Sequence, residues 1–234
     1  MNDLTVVFYS ANQISDYFMA NTQKHLAVAT KGLPIVSVTH KPMDLGTNII
    51  SPDKTQSTFN LYQQVLLGAK NAKTKYIALA EDDVLYPKEH FNTRLPSKGR
   101  FLFNMNKWSI YTWTEPQIFS YKTNRRVLHQ MSCERDLLIE CLEERFDKYM
   151  TPESLNPKYF GEPGKYEGPG RLGVTERETE EWASTVPCVP FKHPEACGYR
   201  FTRRSHGTRE AHGSLQKTEL PHWGKAEAII KLWQ

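Results

Sequence analysis

The chain has 234 residues, 39% of them hydrophobic and 24% charged, with a formal net charge of +4. That balance belongs to a globular protein and excludes a disordered or fibrous chain. No apolar run approaches the ~18 residues that a membrane span needs.

The first half alternates strand and helix signals. Thr5-Val6-Val7-Phe8-Tyr9-Ser10, ending at Asn12, reads as a buried strand. Ile14 to Ala29 predicts a helix closed by Gly32, and Pro34 to Thr39 a second strand ended by Lys41-Pro42. Ser57 opens an amphipathic helix whose stripe is Phe59, Tyr62, Leu66 and Ala69. Ser57, Asn60 and Gln64 form its polar face. Tyr76 to Ala80 is a third strand, which runs straight into Glu81-Asp82-Asp83. This order predicts βαβ crossovers and a mostly parallel α/β sheet flanked by helices. Ligands of such sheets sit beyond the carboxyl ends of the strands, which places Tyr9 to Asn12, His40-Lys41 and Glu81 to Asp83 on one rim.

The second half is less regular. Phe101 to Phe103 and Trp108 to Trp113 predict strands, the latter forming a hairpin with Gln117 to Tyr121. Ser132 is expected to cap a helix with the stripe Leu137, Leu138, Cys141, Leu142 and Phe146. Residues 151–173 hold four prolines and five glycines and read as a long loop, a lid or binding segment. Thr175-Glu176-Arg177-Glu178 fits a capping box for a short helix through Ala183. Val186 to Phe191 predicts a last strand, and Ala226, Ile229, Ile230 and Trp233 a terminal helix. The expected organisation is a single domain, with residues 1–100 as one binding half and 101–234 as a loop-rich second half.

Cys133, Cys141, Cys188 and Cys197 are widely spaced without a C-x-x-C pair, so reduced and mostly buried thiols are expected. Met1-Asn2-Asp3-Leu4 lacks the features of a signal peptide, and a cytoplasmic protein is expected, in host cytoplasm for a viral chain. Residues 192–217 carry six basic and two acidic residues, a patch suited to phosphates.

The acidic triplet carries the most chemistry. Adjacent carboxylates repel one another unless a cation neutralises them, and Mg²⁺ or Mn²⁺ takes such oxygens together with substrate phosphates. Alternation along an extended chain turns Glu81 and Asp83 one way and Asp82 the other, making Glu81 and Asp83 the metal pair.

From Thr5 to Pro87, and above all in Tyr-Ile-Ala-Leu-Ala-Glu-Asp-Asp-Val-Leu-Tyr-Pro, the sequence resembles the nucleotide-sugar-binding half of GT-A glycosyltransferases. Glu81-x-Asp83 stands where that family has its D-x-D motif, with Glu in place of the first Asp. Residues 221–227 are similar to the tail of small, unanchored enzymes of this type, some of them phage-like. The resemblance implies a GT-A-like, Rossmann-related fold, a UDP-sugar donor and a Mn or Mg ion held by Glu81, Asp83 and a late histidine, His206. It places Tyr9, Ser10, Asn12, His40 and Lys41 at the nucleobase and ribose, with Asn60, Gln64 and Glu81 also facing the donor. An inverting enzyme needs a general base, for which Glu181 and Glu180 beside Trp182 are the candidates.

The acceptor half matches no motif. Basic residues Arg125, Arg126, Arg203, Arg204 and Arg209 fit an acceptor or diphosphate rich in phosphate oxygens. Aromatic residues make up 12% of the chain and supply stacking surfaces. Together these favour a DNA glycosyltransferase that moves glucose to a 5-hydroxymethylpyrimidine. A glycan- or protein-directed transferase and a non-catalytic nucleic-acid-binding protein are the alternatives.

Overall fold

The computed structural model describes residues 3–122, 125–154, 161–193 and 215–234. A seven-stranded sheet runs through it in the order β10-β6-β9-β4-β1-β2-β3. Its strands are β1 (Leu4–Ser10), β2 (Ile35–Thr39), β3 (Thr47–Ile50), β4 (Tyr76–Glu81), β6 (Arg100–Asn104), β9 (Met131–Glu134) and β10 (Glu178–Trp182). All neighbours pair in parallel except β9, which is antiparallel to both β4 and β6. Every residue of β1 is buried, as a central strand covered on both faces requires.

Helices cover the two faces. On one lie α1 (Asp16–Ala29), α3 (Lys88–Asn92) and the terminal α5 (Ala226–Ile229). Phe18, Leu26, Phe91 and Ile230 pack there with Val6, Phe8, Ala78 and Ala80. On the other lie α2 (Thr58–Asn71) and α4 (Arg135–Lys148), whose Tyr62, Val65, Leu138 and Leu142 join Val7, Tyr9, Leu79 and Phe103. Ser15 and Ser57 cap α1 and α2 by accepting from Phe18 N and Asn60 N. At Gly68 a Cβ would stand 2.4 Å from Val7 Cγ1, so glycine lets α2 lie directly on β1.

A second sheet has the order β12-β8-β7-β11-β5. It comprises β5 (Val84–Leu85), β7 (Trp108–Tyr111), β8 (Phe119–Tyr121), β11 (Val189–Lys192) and β12 (Leu215–Lys217). Because β5 follows the acidic triplet directly, this sheet begins where β4 ends. The large sheet takes four strands from residues 1–81 and three from residues 100–182, so one domain crosses the middle of the chain. Among the described residues no helix is long and apolar enough to cross a membrane. Cys133, Cys141 and Cys188 are free and buried, and Cys197 lies outside the described residues.

Two expected elements are corrected. Ser132 does not cap a helix; it lies in β9, paired with Ala78 and Leu102, and α4 begins at Arg135. Hydrogen bonding to strands on both sides outweighs the capping preference of a lone serine. Residues 178–182 form not a helix but β10, which joins β6 over five residue pairs. Ladder pairing overrides the weak strand propensity of Glu-Thr-Glu-Glu-Trp, and Glu178 pairs with Arg100 at 2.6 Å instead of closing a capping box.

The loop after α4 is fastened from below. Arg145 and Glu167 form an ion pair of 2.5 Å with side chains 0% and 2% exposed. Glu167 also accepts from the backbone N–H groups of Gly164 and Tyr166, and Arg145 donates to Gly161 O. Gly164 has φ 80° and sits where a Cβ would strike Thr179 of β10, so the loop packs against the sheet edge.

Candidate active site

The connections from β1 lead to β2 on one side and return to β4 on the other. A crevice opens at such a switch point, beyond the carboxyl ends of the strands. Tyr9 and Glu81 are register partners there. The Tyr9 hydroxyl donates to Glu81 Oε1 at 2.6 Å, and His129 Nδ1 stands 3.0 Å from Glu81 Oε2. Burial and the Glu81 charge hold the Tyr9 phenol well above its ordinary value, so it remains a donor.

The chain turns after Glu81, which breaks the expected alternation. Ser10 Oγ donates to Asp82 in a short hydrogen bond. Asp83 is buried, with Oδ2 3.5 Å from His193 Nε2, and its backbone oxygen accepts from Phe191 N at 2.8 Å. Glu81 therefore faces β1 and His129, whereas Asp83 faces β11 and His193. The Asp82 carboxyl is pushed up to about 7 by removal from water and by the Asp83 charge, with a smaller push from Glu81. Burial would raise Asp83 as well, but the close approach of His193 and the charges of Lys192, His193 and His129 hold it below the usual carboxylate range.

The donor set suits a hard divalent cation. Among the described residues Asp83 Oδ1 is buried without a hydrogen-bond partner, an oxygen that a cation would satisfy. No group of three or more His, Cys, Asp or Glu side chains is close enough to enclose a metal among the described residues. An ion here would take one or two side chains and fill its shell with substrate oxygens, as Mg²⁺ commonly does.

The other predicted donor residues are mostly builders of the rim. Asn12 adopts φ 51°, a conformation Asn tolerates, and its Oδ1 accepts from His40 N at 2.8 Å and Lys41 N at 3.0 Å. The loops after β1 and β2 are thereby tied together. Asn60 and Gln64 are buried, contrary to a solvated polar face. Asn60 donates to Thr55 O and Asp53 O and contacts His40 Nε2; Gln64 donates to Ser10 O and Val38 O. Lys41 remains exposed and, with Asn12, Ile14 and Met19, lines a cleft of about 250 Å³.

Glu180 and Glu181 stand on β10, three strands from β4, a separation of about 14 Å at the usual strand spacing. Their neighbours in β6 are Leu102 and Phe103, which lie on opposite faces. Glu181 shares the face of Glu81 and pairs with Arg126 Nε at 2.7 Å. Glu180 points to the other face, where Arg94 and both the N–H and hydroxyl of Ser97 hold its carboxylate. Arg125 is exposed. His206, Arg203, Arg204 and Arg209 lie outside the described residues.

Sequence reasoning missed His129 and did not select His193. His193 follows the predicted strand 186–191, so the strand-end rule pointed at it. His129 precedes a strand with no sequence signal of its own.

No family model and no curated protein matches the sequence. Among solved structures, the chain is similar to a glycosyltransferase involved in the glycosylation of the major capsid of PBCV-1, at 8% identity and a TM-score of 0.47, over 87% of this chain and 96% of that one. It is similar to S. aureus TarS in complex with UDP-GlcNAc at 10% identity and a TM-score of 0.43, over 82% and 59%. The bifunctional IspDF from Campylobacter jejuni gives 9% identity and a TM-score of 0.42, over 78% and 50%, so the chain spans half of that protein. At these identities the similarity concerns the course of the backbone alone.

Proposed function

We propose that the chain is a nucleotide-sugar glycosyltransferase whose donor binds at the crevice between the ends of β1 and β4. The observation that carries this reading is the acidic turn Glu81-Asp82-Asp83, across the switch point from Tyr9 and Ser10, with an Asp83 oxygen that has no partner among the described residues. A nucleotide fits the cleft beside Asn12 and Lys41, and the diphosphate the acidic turn through a divalent ion. Asp83, with His193 beside it, is the holder of that Mn or Mg ion. Bound there, the ion supplies Lewis-acid stabilisation of the leaving diphosphate.

The chain's own groups do the rest. Tyr9 and His129 orient Glu81 toward the ribose, and Asn12 sets the spacing of the two loops. Glu181 is retained as the general base of an inverting reaction; a diphosphate and a sugar ring would have to fill the space from Glu81 across β9 and β6. Glu180 is assigned to the fold.

UDP-glucose as donor and a 5-hydroxymethylpyrimidine in DNA as acceptor complete the reading. A thermal-shift panel of UDP-sugars with and without Mn²⁺ tests the donor site: at 100 times its dissociation constant a ligand adds about 2.7 kcal/mol of stability. Wild type is expected to shift only with both ligands, and Asp83→Asn with neither. Equal shifts in the variant and in wild type remove the assignment. Sugar transfer to duplexes with 5-hydroxymethyluracil or 5-hydroxymethylcytosine but not thymine is expected for the DNA acceptor; transfer to a free saccharide alone replaces it.

A further inference from the structure

The segment that follows β12 packs against the end of β11, next to the acidic turn. α5 passes into a 3₁₀ turn, Ile230–Leu232, and Trp233 N donates to Ile230 O at 3.0 Å. Asn21 of α1 donates from Nδ2 to Leu232 O at 3.0 Å, which ties this turn to the helix that lines the donor cleft. The Trp233 ring rests on His193, with ring centroids 4.6 Å apart and planes 35° from parallel. Phe18 closes the group edge-on, 4.8 Å from Trp233 and 6.5 Å from His193, and meets Phe191 in the same manner at 4.7 Å. Phe18 is fully buried and His193 is 2% exposed, so neither ring turns without displacing its neighbours.

This ring cluster lies one contact away from the candidate metal oxygen. His193 Nε2 stands 3.5 Å from Asp83 Oδ2, and Phe191 N donates to Asp83 O at 2.8 Å. The end of β11 therefore meets both the backbone and the carboxylate of Asp83. With Oδ2 facing His193, Oδ1 is the oxygen left without a partner among the described residues. A carboxylate that holds a metal must keep its direction, and groups that touch the ligand or its neighbour tune affinity by fixing it. His193 is the first residue past β11 (Val189–Lys192), where the ladder no longer sets the chain. The packing of Trp233 and Phe18 sets its ring instead.

We propose that Trp233 is a positioning residue of the acidic turn. Its ring fixes the His193 imidazole, and His193 fixes the Asp83 carboxylate with Oδ1 open to a divalent cation. The metal role rests on the glycosyltransferase reading; the alignment of His193 on Asp83 does not. A flat face is what the imidazole requires, so phenylalanine should serve at position 233 where an aliphatic side chain does not.

Mn²⁺ titration followed by electron paramagnetic resonance, on the full chain with saturating UDP, tests the proposal. An aromatic pair is worth about a factor of two to ten in an equilibrium constant, so Trp233→Leu should bind the ion about fivefold or more weakly than wild type and Trp233→Phe within about twofold of it. Trp233 is half-buried and leucine keeps the position apolar, so the variant should fold. Trp233→Met, apolar and more pliable, is the second variant and should weaken the ion in the same way. Leu138→Ala, a buried change in α4 on the other face of the sheet, controls for a general loss of stability and should leave Mn²⁺ affinity unchanged. Trp233→Leu and Trp233→Met binding as tightly as wild type, or Leu138→Ala weakening the ion equally, overturns the proposal. The imidazole NMR resonance of His193, assigned through His193→Gln, gives a second reading without metal. Asp83→Asn should shift it in wild type and leave it in place in Trp233→Leu; equal shifts in both backgrounds overturn the alignment. Wild type that binds no Mn²⁺ yet shows this dependence on Trp233 keeps the alignment and sinks the metal reading alone.

Discussion

Tyr9 and Glu81 face each other as the last register pair of β1 and β4, and the phenol closes that pair with a 2.6 Å hydrogen bond to the carboxylate. With His129 on the other oxygen, Glu81 is held from two elements at once. Its direction is fixed before any ligand arrives, which removes an ordering cost from binding. Tyr9→Phe keeps the buried ring and deletes only the hydroxyl. A hydrogen bond to a charged group is worth about 1.5–3 kcal/mol. If Glu81 touches the donor, UDP titrations in Mn²⁺ should show affinity falling roughly tenfold or more, since each 1.4 kcal/mol is a factor of ten. Unchanged affinity would detach Glu81 from the donor.

The two glutamates of β10 separate by face. Glu181→Gln should lower kcat by about 10²–10⁴-fold, the usual contribution of a general base, and leave UDP affinity alone. Glu180→Gln should spare kcat and lower the melting temperature instead, because Arg94 and Ser97 lose a shared carboxylate. Wild-type kcat in Glu181→Gln would move the base elsewhere.

The elements legible in the sequence are those whose patterns are local. β1 and β4 are apolar runs that the sheet buries on both faces, and α2 shows its stripe and its Ser57 cap. β9 and β10 were illegible because their identity comes from partners: four and five residues of mixed polarity become strands only beside β4 and β6. The site divides likewise. The acidic turn follows a readable strand, whereas Asn60 and Gln64 read as a polar helix face until loop carbonyls take up Asn60 and the carbonyls of Ser10 and Val38 in β1 and β2 take up Gln64.

The Arg145–Glu167 pair sets the stability of the loop after α4. Removing one partner of a buried ion pair strands the other charge and costs about 3–5 kcal/mol. Glu167→Gln should lose stability of that size in chemical denaturation, because Arg145 is fully buried and Gly164 and Tyr166 lose a charged acceptor. Arg145→Met with Glu167→Leu, which removes both charges, should recover much of it. A loss below about 1 kcal/mol in the single variant would mark the pair as hydrated, in the range of exposed salt bridges.

His90 predicts an acid limb of stability. It is 6% exposed, lies tilted over Tyr86 and edge-on to Phe91, and its Nδ1 accepts from Asn104 Nδ2 at 3.1 Å. Nδ1 as acceptor puts the proton on Nε2, and Nε2 is buried without a partner among the described residues. Burial, and then the charge of His129, lowers the imidazole pKa to about 3, whereas an unfolded histidine titrates near 6.5. Between those values the unfolded chain binds a proton that the folded chain refuses, so stability rises with pH. The contribution is complete above about pH 6.5 and is lost as pH falls toward 3, by about 4–5 kcal/mol over the full window. His90→Gln retains an acceptor for Asn104 and cannot titrate. Urea denaturation from pH 7 to pH 4 should therefore give a shallower fall for the variant than for wild type. Parallel curves would show that the folded protein protonates His90 as readily as the unfolded chain does.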